Sequence, residues 1–249
     1  FTNFNEQNQV SKENIFVVPY DENQAQGFFL PAMTLHYASQ ETFQLSFQPW
    51  NGYCTIQEFY DSYADGDVRK GEYGNQQVRG NFVAGPQYKA DGVTRIVDSS
   101  PDDPGGAEVE FTPFVNALEP NCWREAGARV GKFEFTIGAQ NNLSNDFPIY
   151  RFADVLLTKA EALWRQNAGS SEALALVNQV RTRAGVPDFA TLTAADLLAE
   201  RGREMFYEGT RRQDQIRFGT FDDAWQFKPV SEPCKTLFPI PADQILANP

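Results

Sequence analysis

Residues 200–219 read Glu200-Arg-Gly-Arg-Glu-Met-Phe-Tyr-Glu-Gly-Thr-Arg-Arg-Gln-Asp-Gln-Ile-Arg-Phe-Gly219. On a helix, Arg201, Glu204 and Glu208 share one face at i, i+3 and i+7, while Leu198, Gly202 and Met205 share another with Phe206 beside them. The spacing predicts a helix running to Glu208, with Gly209 as its left-handed closing residue and a second short helix holding Asp214, Ile216 and Arg217. Read functionally, Arg201, Glu204, Glu208, Arg211 and Asp214 are a binding or acid/base site. Read structurally, they are buried ion pairs that neutralise one another and fix helix packing. The near balance of opposite charges favours the structural reading, because an unpaired buried charge is costly.

Working outward, residues from Phe152 onward are helical in pattern. Leu156, Ala160 and Leu163 form one apolar stripe, and Ala153, Leu157, Ala160 and Trp164 a second. Asp154 can cap the first turn or favour its positive dipole end. Gly169-Ser-Ser171 breaks this helix, and either serine can cap the next, where Ala173, Leu176, Val177, Val180 and Ala184 recur at helical spacing. Gly185 and Pro187 stop it. The result is a tetratricopeptide-like helical hairpin, which buries too little by itself and stacks on others. Thr193-Ala-Ala-Asp196 is a capping box for the helix that leads into the opening stretch. Beyond Lys228, Pro229, Pro233, Pro239 and Pro241 predict an extended tail without regular structure.

Residues 1–150 are punctuated by glycine, proline, asparagine and aspartate. Short strands are expected at Ile15–Val18 and, as a strand or hairpin, within Arg124–Ile137, where Val130, Phe133, Phe135 and Ile137 are apolar. A short helix is expected near Thr55–Tyr63, and Asp98–Gly106 is turn-rich. The fold class is therefore mainly α: the helical hairpin and its neighbours in 151–249, preceded by a loop-rich segment 1–150 with a few short β-strands.

Four segments together resemble the SusD/RagB family, the nutrient-binding outer-membrane lipoproteins of Bacteroidetes. The opening stretch is similar to that family's E-R-R-x-E-L-x-x-E-G-x-R-x-x-D-L-x-R pattern at Glu200, Arg201, Glu204, Glu208, Gly209, Arg211, Asp214 and Arg217. It departs at Gly202, where arginine is usual, and at Thr210, Arg212 and Gln213. Ile149–Leu163 resembles the R-x-A-D-x-x-L-x-x-A-E-A helix, Ala173–Gly185 the helix after it, and Leu237–Ile245 the segment near the family's C-terminus. Upstream, Trp50-Asn-Gly52 and Asp65-Gly-Asp-Val-Arg69 are similar to its W-x-G and D-x-R region.

The resemblance implies a non-catalytic protein facing outward at the outer membrane. It would capture an oligosaccharide and pass it to a SusC-like TonB-dependent transporter, with 1–150 on the ligand side. It further implies that this chain is a C-terminal portion or mature fragment of a longer protein, whose first half carries the lipid anchor and most of the tetratricopeptide-like helices. Peptide binding, as in RagB-like members, is an alternative, and a surface glycoside hydrolase is another.

Among ligand candidates, Trp50 beside glycine in a polar loop can offer its face to a sugar ring, with Asn51 or Asp65 hydrogen-bonding hydroxyls. The competing reading is a core tryptophan closing a loop. Tyr53, Tyr60, Tyr73 and Tyr88 are weaker candidates. Asp61, Asp65 and Asp67 lie near Gly66, but their spacing does not match an EF-hand, and pairing of Asp67 with Arg69 is the favoured reading.

Composition narrows the rest. A net charge of −12 argues against a nucleic-acid partner. His36 is the single histidine, and Cys54, Cys122 and Cys234 are scattered, so neither a zinc site nor any cofactor is expected, and three unpaired thiols are expected ahead of one disulfide. No G-x-S-x-G, P-loop or H-E-x-x-H motif occurs, and no motif proposes a glycosidase carboxylate pair.

Overall fold

The computed structural model describes residues 2–71, 80–99, 105–118, 120–134 and 137–247. Its strands are short: β1 Asn14–Val18, β2 Phe82–Val83, β3 Gly85–Pro86, β4 Val97–Asp98, β5 Ala107–Glu108, β6 Glu110–Phe111, β7 Arg129–Val130 and β8 Phe147–Arg151. Among them run the short helices α1 Leu30–Thr34, α2 Ser39–Phe43 and α3 Gln57–Asp61. After them come α4 Phe152–Gln166, α5 Ser171–Arg183, α6 Ala194–Glu204, α7 Arg211–Phe218 and α8 Ala242–Ala247. The protein is mainly α.

The strands pair antiparallel in a nested order, β1 with β8, β2 with β7, β3 with β6 and β4 with β5. The chain thus runs out past Asp98 and retraces itself from Ala107 onward. Each pairing except the innermost joins residues distant in sequence, so local alternation carries little of the pattern. The stretch expected as a strand or hairpin within Arg124–Ile137 contributes only β7, which pairs with Phe82–Val83 rather than with its own neighbours. Phe135 lies outside the described residues, as do the middle positions of the turn-rich Asp98–Gly106 stretch.

Apolar side chains collect beneath this retraced chain. Phe4, Phe28, Leu35, Phe43 and Phe133 form one core. Tyr60, Tyr63 and Phe82 form another, which places Tyr60 in the interior. A third, of Leu157, Ala160, Ala173, Val177 and Val180, joins α4 to α5 through small residues at their contact. Ser170 caps α5 by accepting from the Ala173 N–H at 3.2 Å. Thr193 and Asp196 form the reciprocal capping box of α6.

One local expectation narrows and two change. Asp154 makes no cap bond but lies in the first turn of α4, at its positive dipole end as the second of the two expected roles, and its carboxylate pairs with Arg201 at 2.7 Å. Helix α6 stops at Glu204 instead of Glu208, because its last carbonyl is taken by cations. Glu204 O accepts from Lys132 Nζ at 2.9 Å and from Arg151 Nη2 at 2.7 Å, and Tyr207 then turns left-handed at φ 64°. The proline-rich tail is not wholly irregular. Pro233 opens a 3-10 turn to Thr236, and Pro241 precedes α8, since proline is well suited to a first turn, where its missing N–H is not needed.

Candidate functional site

The charged face of α6 is the centre of a buried network. Arg151, 1% exposed, meets Glu13 and Glu204 through Nη1, each at 2.8 Å, and Glu208 through Nε at 2.7 Å. Arg69 forks onto Asp67 and also reaches Glu200 at 2.7 Å and Glu204 at 3.1 Å. Arg181 and Arg203 complete Glu200, and Arg183 adds to Glu204. A second set ties α4, α6 and α7 together: Arg201 to Asp154 and Asp214, and Arg217 to Asp214 and Glu161. The charged positions of the β8–α4, Asp65–Arg69 and α6–α7 segments therefore meet in space. Arg211 is the exception. It makes no ion pair among the described residues and instead donates to Leu198 O at 2.8 Å, with its guanidinium laid over Gly202.

Electrostatics keep the acids of this network ionised. Burial alone raises the Glu204 carboxyl, but Arg151, Arg183, Arg69 and Lys132 outweigh it and hold the group well below the ordinary range. Glu200 and Glu13 likewise stay low, their desolvation outweighed by arginines. Burial pushes the Lys132 ammonium down to about 8 against the pull of Glu208.

A different region presents aromatic rings to solvent. The Trp50-Asn-Gly loop lies on α1: Trp50 N–H donates to Ala32 O at 2.9 Å, Asn51 N–H to Leu35 O at 2.9 Å, and Gly52 N–H to Met33 O at 2.7 Å. A Cβ on Gly52 would sit 2.8 Å from Met33 O, so the close approach requires glycine. Asn51 takes a left-handed conformation, φ 50°. Trp50 is 52% exposed and rests on Phe29, ring centroids 5.4 Å apart.

Trp123 is 58% exposed and rests on Phe114 at 6.1 Å. Its loop is closed by Asn116, which accepts from Trp123 N–H and donates to Asn121 O, both at 2.9 Å. The two tryptophan loops are bolted together. Asn51 Nδ2 donates to Arg124 O at 3.2 Å, and Asn51 Oδ1 accepts from Arg129 Nη2 at 2.8 Å. Buried Arg129 also donates to the carbonyls of Arg124, Ala126 and Gly127. Trp50 and Trp123 each immediately precede a member of the Asn51–Arg124 bond, which holds both platforms on one rigid hub.

The structure spreads the other sequence candidates. Asn51 spends its side-chain amide on the hub. Tyr53 lies in an adjoining cleft against Tyr207, and burial pushes its hydroxyl up to about 12. Asp65 is exposed in the turn after α3, and Tyr88 stacks under Arg95. Tyr73 lies outside the described residues. Trp123 and Phe114 were not singled out in the sequence; the signal was the same as for Trp50, a tryptophan in a polar turn, Asn121-Cys-Trp-Arg124. Cys54, Cys122 and Cys234 are unpaired. Among the described residues no cluster of histidine, cysteine or acidic groups could hold a metal ion, and no helix is long and apolar enough to cross a membrane.

This combination of retraced strands, helical hairpin and charged latch defines a known class. The profile of the SusD family matches residues 12–236, and the chain belongs to that family. Over 112 residues, 45% of this chain and 18% of the relative, it is 40% identical to the starch-binding protein SusD of Bacteroides thetaiotaomicron. Among solved structures it is similar to surface glycan-binding protein A of the same organism in complex with laminarihexaose. The TM-score is 0.67 at 24% identity, covering 99% of this chain and 53% of that one. A SusD superfamily protein of Parabacteroides distasonis gives a TM-score of 0.65 at 20% identity, covering 100% of this chain and 51% of that one. The chain thus spans about half the length of these solved relatives.

Proposed function

We propose that the chain is the glycan-contacting part of a non-catalytic outer-membrane binding protein. It holds an oligosaccharide for import through a SusC-like TonB-dependent transporter. The observation that carries this reading is the pair of solvent-facing tryptophans, Trp50 and Trp123, each backed by a phenylalanine and fixed by the Asn51–Arg124–Arg129 hub. The apolar face of a pyranose stacks on indole, and neighbouring polar groups set orientation. An outward-facing location and attachment through a lipid anchor follow from family membership and belong to the same proposal.

The acids of the buried network are not candidates for hydrolysis. A glycosidase needs one acid with a raised pKa, whereas Glu13, Glu161, Glu200 and Glu204 are all held low by arginines. Calorimetry with laminarihexaose and maltohexaose, with an assay for new reducing ends, tests both parts. Binding that weakens at least tenfold in Trp50→Ala or Trp123→Ala, with no reducing ends released, is the expected result. Binding unchanged in both variants, or affinity for peptides and for neither glycan, overturns it.

A further inference from the structure

The cleft that receives Tyr53 borders the tryptophan hub at Cys54, whose thiol bonds Arg129, and is about 560 Å³ in volume, within the usual range of small-molecule pockets. Its walls come from α3, from α6 with the turn after it, from α7, and from the Trp225 segment. Phe59 and Phe206 stack on each other within it at 5.2 Å and 27°, so aromatic carbon lines this part of the wall. The far wall is pinned by reciprocal bonds between Glu58 and Gln226, Glu58 N–H to Oε1 at 3.4 Å and Gln226 N–H to Oε2 at 3.1 Å.

Arg211 lines this cleft, and no carboxylate neutralises it among the described residues. Its Nη1 donates to Leu198 O, while Nε and Nη2 have no protein partner there. Asp214 favours its charge through space without pairing with it, since Asp214 Oδ1 accepts from Arg201 and Arg217, and Arg203 adds repulsion. Burial and that repulsion pull the Arg211 pKa below its ordinary value. Thr210 Oγ1, on the same lining, is buried without a hydrogen-bond partner. Space for the guanidinium depends on Gly202. A Cβ there would lie 2.7 Å from Arg211 Nη1 and 3.0 Å from Cζ. Gly202 is also where the chain departs from the family's arginine, so glycine on α6 leaves room for the arginine supplied by α7.

From this geometry we infer that the cleft binds a monocarboxylate attached to a six-membered ring with an apolar face, the carboxylate on Arg211 and that face against the aromatic wall of Phe59 and Phe206. The planar guanidinium fork matches a carboxylate. Glu58 at the rim disfavours a second negative charge on the ligand. Two sources share this chemistry, an acidic sugar and an aromatic acid.

The test is calorimetric titration of the 249-residue chain with D-glucuronate and with phenylacetate, each beside its neutral counterpart, D-glucose and phenylacetamide. At least one acid binds saturably and at least tenfold more tightly than its counterpart, and which one does so identifies the source. Arg211→Gln removes that preference, and Gly202→Ala weakens it by displacing the guanidinium with the thermal midpoint preserved. The inference is overturned if neither acid binds, if the neutral counterparts bind equally, or if Arg211→Gln keeps the preference while folded by circular dichroism. The glycan reading is tested by laminarihexaose binding in Trp50→Ala and Trp123→Ala, so failure here is distinguishable from failure of that reading.

Discussion

Arg151 grips Glu208 through two parallel bonds, Nε to Oε2 at 2.7 Å and Nη2 to Oε1 at 2.8 Å. This bidentate pair joins the end of the retraced strands to the turn after α6. With Glu204 and Lys132 it decides where α6 stops. A buried pair of this kind gives little net stability over a well-packed apolar substitute, but losing one partner strands the other.

Glu204→Ala leaves Arg151 and Arg69 short of a carboxylate in the interior. The expected cost is about 3–5 kcal/mol, read by chemical denaturation. Laminarihexaose affinity of the fraction that folds is expected to stay within twofold of the parent. A Glu204→Ala protein of normal stability that has lost only ligand binding would mean that the network is a site after all.

His36 gives an acid-sensitive step. Burial is the main cause of its low pKa, about 4 against an ordinary 6.5; Asp98 pulls the other way, and Arg129 and Arg124 add to the lowering. Between those values the unfolded chain binds a proton that the folded chain does not, so folding weakens as pH falls from 6.5 toward 4. The loss is about 3 kcal/mol at most. Urea midpoints measured across that range should show it, and His36→Phe should flatten it. From about pH 4.5 downward, the depressed carboxyls Glu13, Glu200 and Glu204 add a further loss as the unfolded chain is protonated first, in the variant as well.

Gly52→Ala tests the tryptophan loop. The added Cβ meets the Met33 carbonyl, which is backbone and cannot swing away. A cost of about 1–3 kcal/mol is expected from the displaced loop, together with reduced glycan affinity because Trp50 moves with it. Equal affinity in a destabilised protein would separate Trp50 from the ligand.

Thr193→Ala removes one half of the capping box of α6. A loss of about 1 kcal/mol in thermal or urea unfolding is expected, with ligand binding unaltered.

Much of the C-terminal half could be read locally. The apolar repeat of α4 and α5, the Ser170 cap and the Thr193–Asp196 box all act within a few residues, and each forms as its spacing predicts. The Asp67–Arg69 pair was legible for the same reason. The end of α6 was not, because it depends on Lys132 and Arg151, which lie far back in the chain. Nor was the role of Arg211, since its neighbour Gly202 was visible only as a departure from a pattern. Trp50 could be noticed, but not its coupling to Trp123 through Asn51 and Arg124.

The sequence by itself determined the helices of residues 152–218, the opposite charges that would be buried together, and the family. Those depend on periodicity, capping and motif order, which are properties of neighbouring residues. Tertiary structure alone decided which charges distant in sequence pair, where α6 ends, and which aromatics face solvent. The nested pairing of β1 with β8 through β4 with β5 brings residues more than a hundred positions apart into contact, Asn14 beside Arg151 at its outer edge. Burial and hydrogen bonding at such contacts depend on distance in space, which no local pattern encodes.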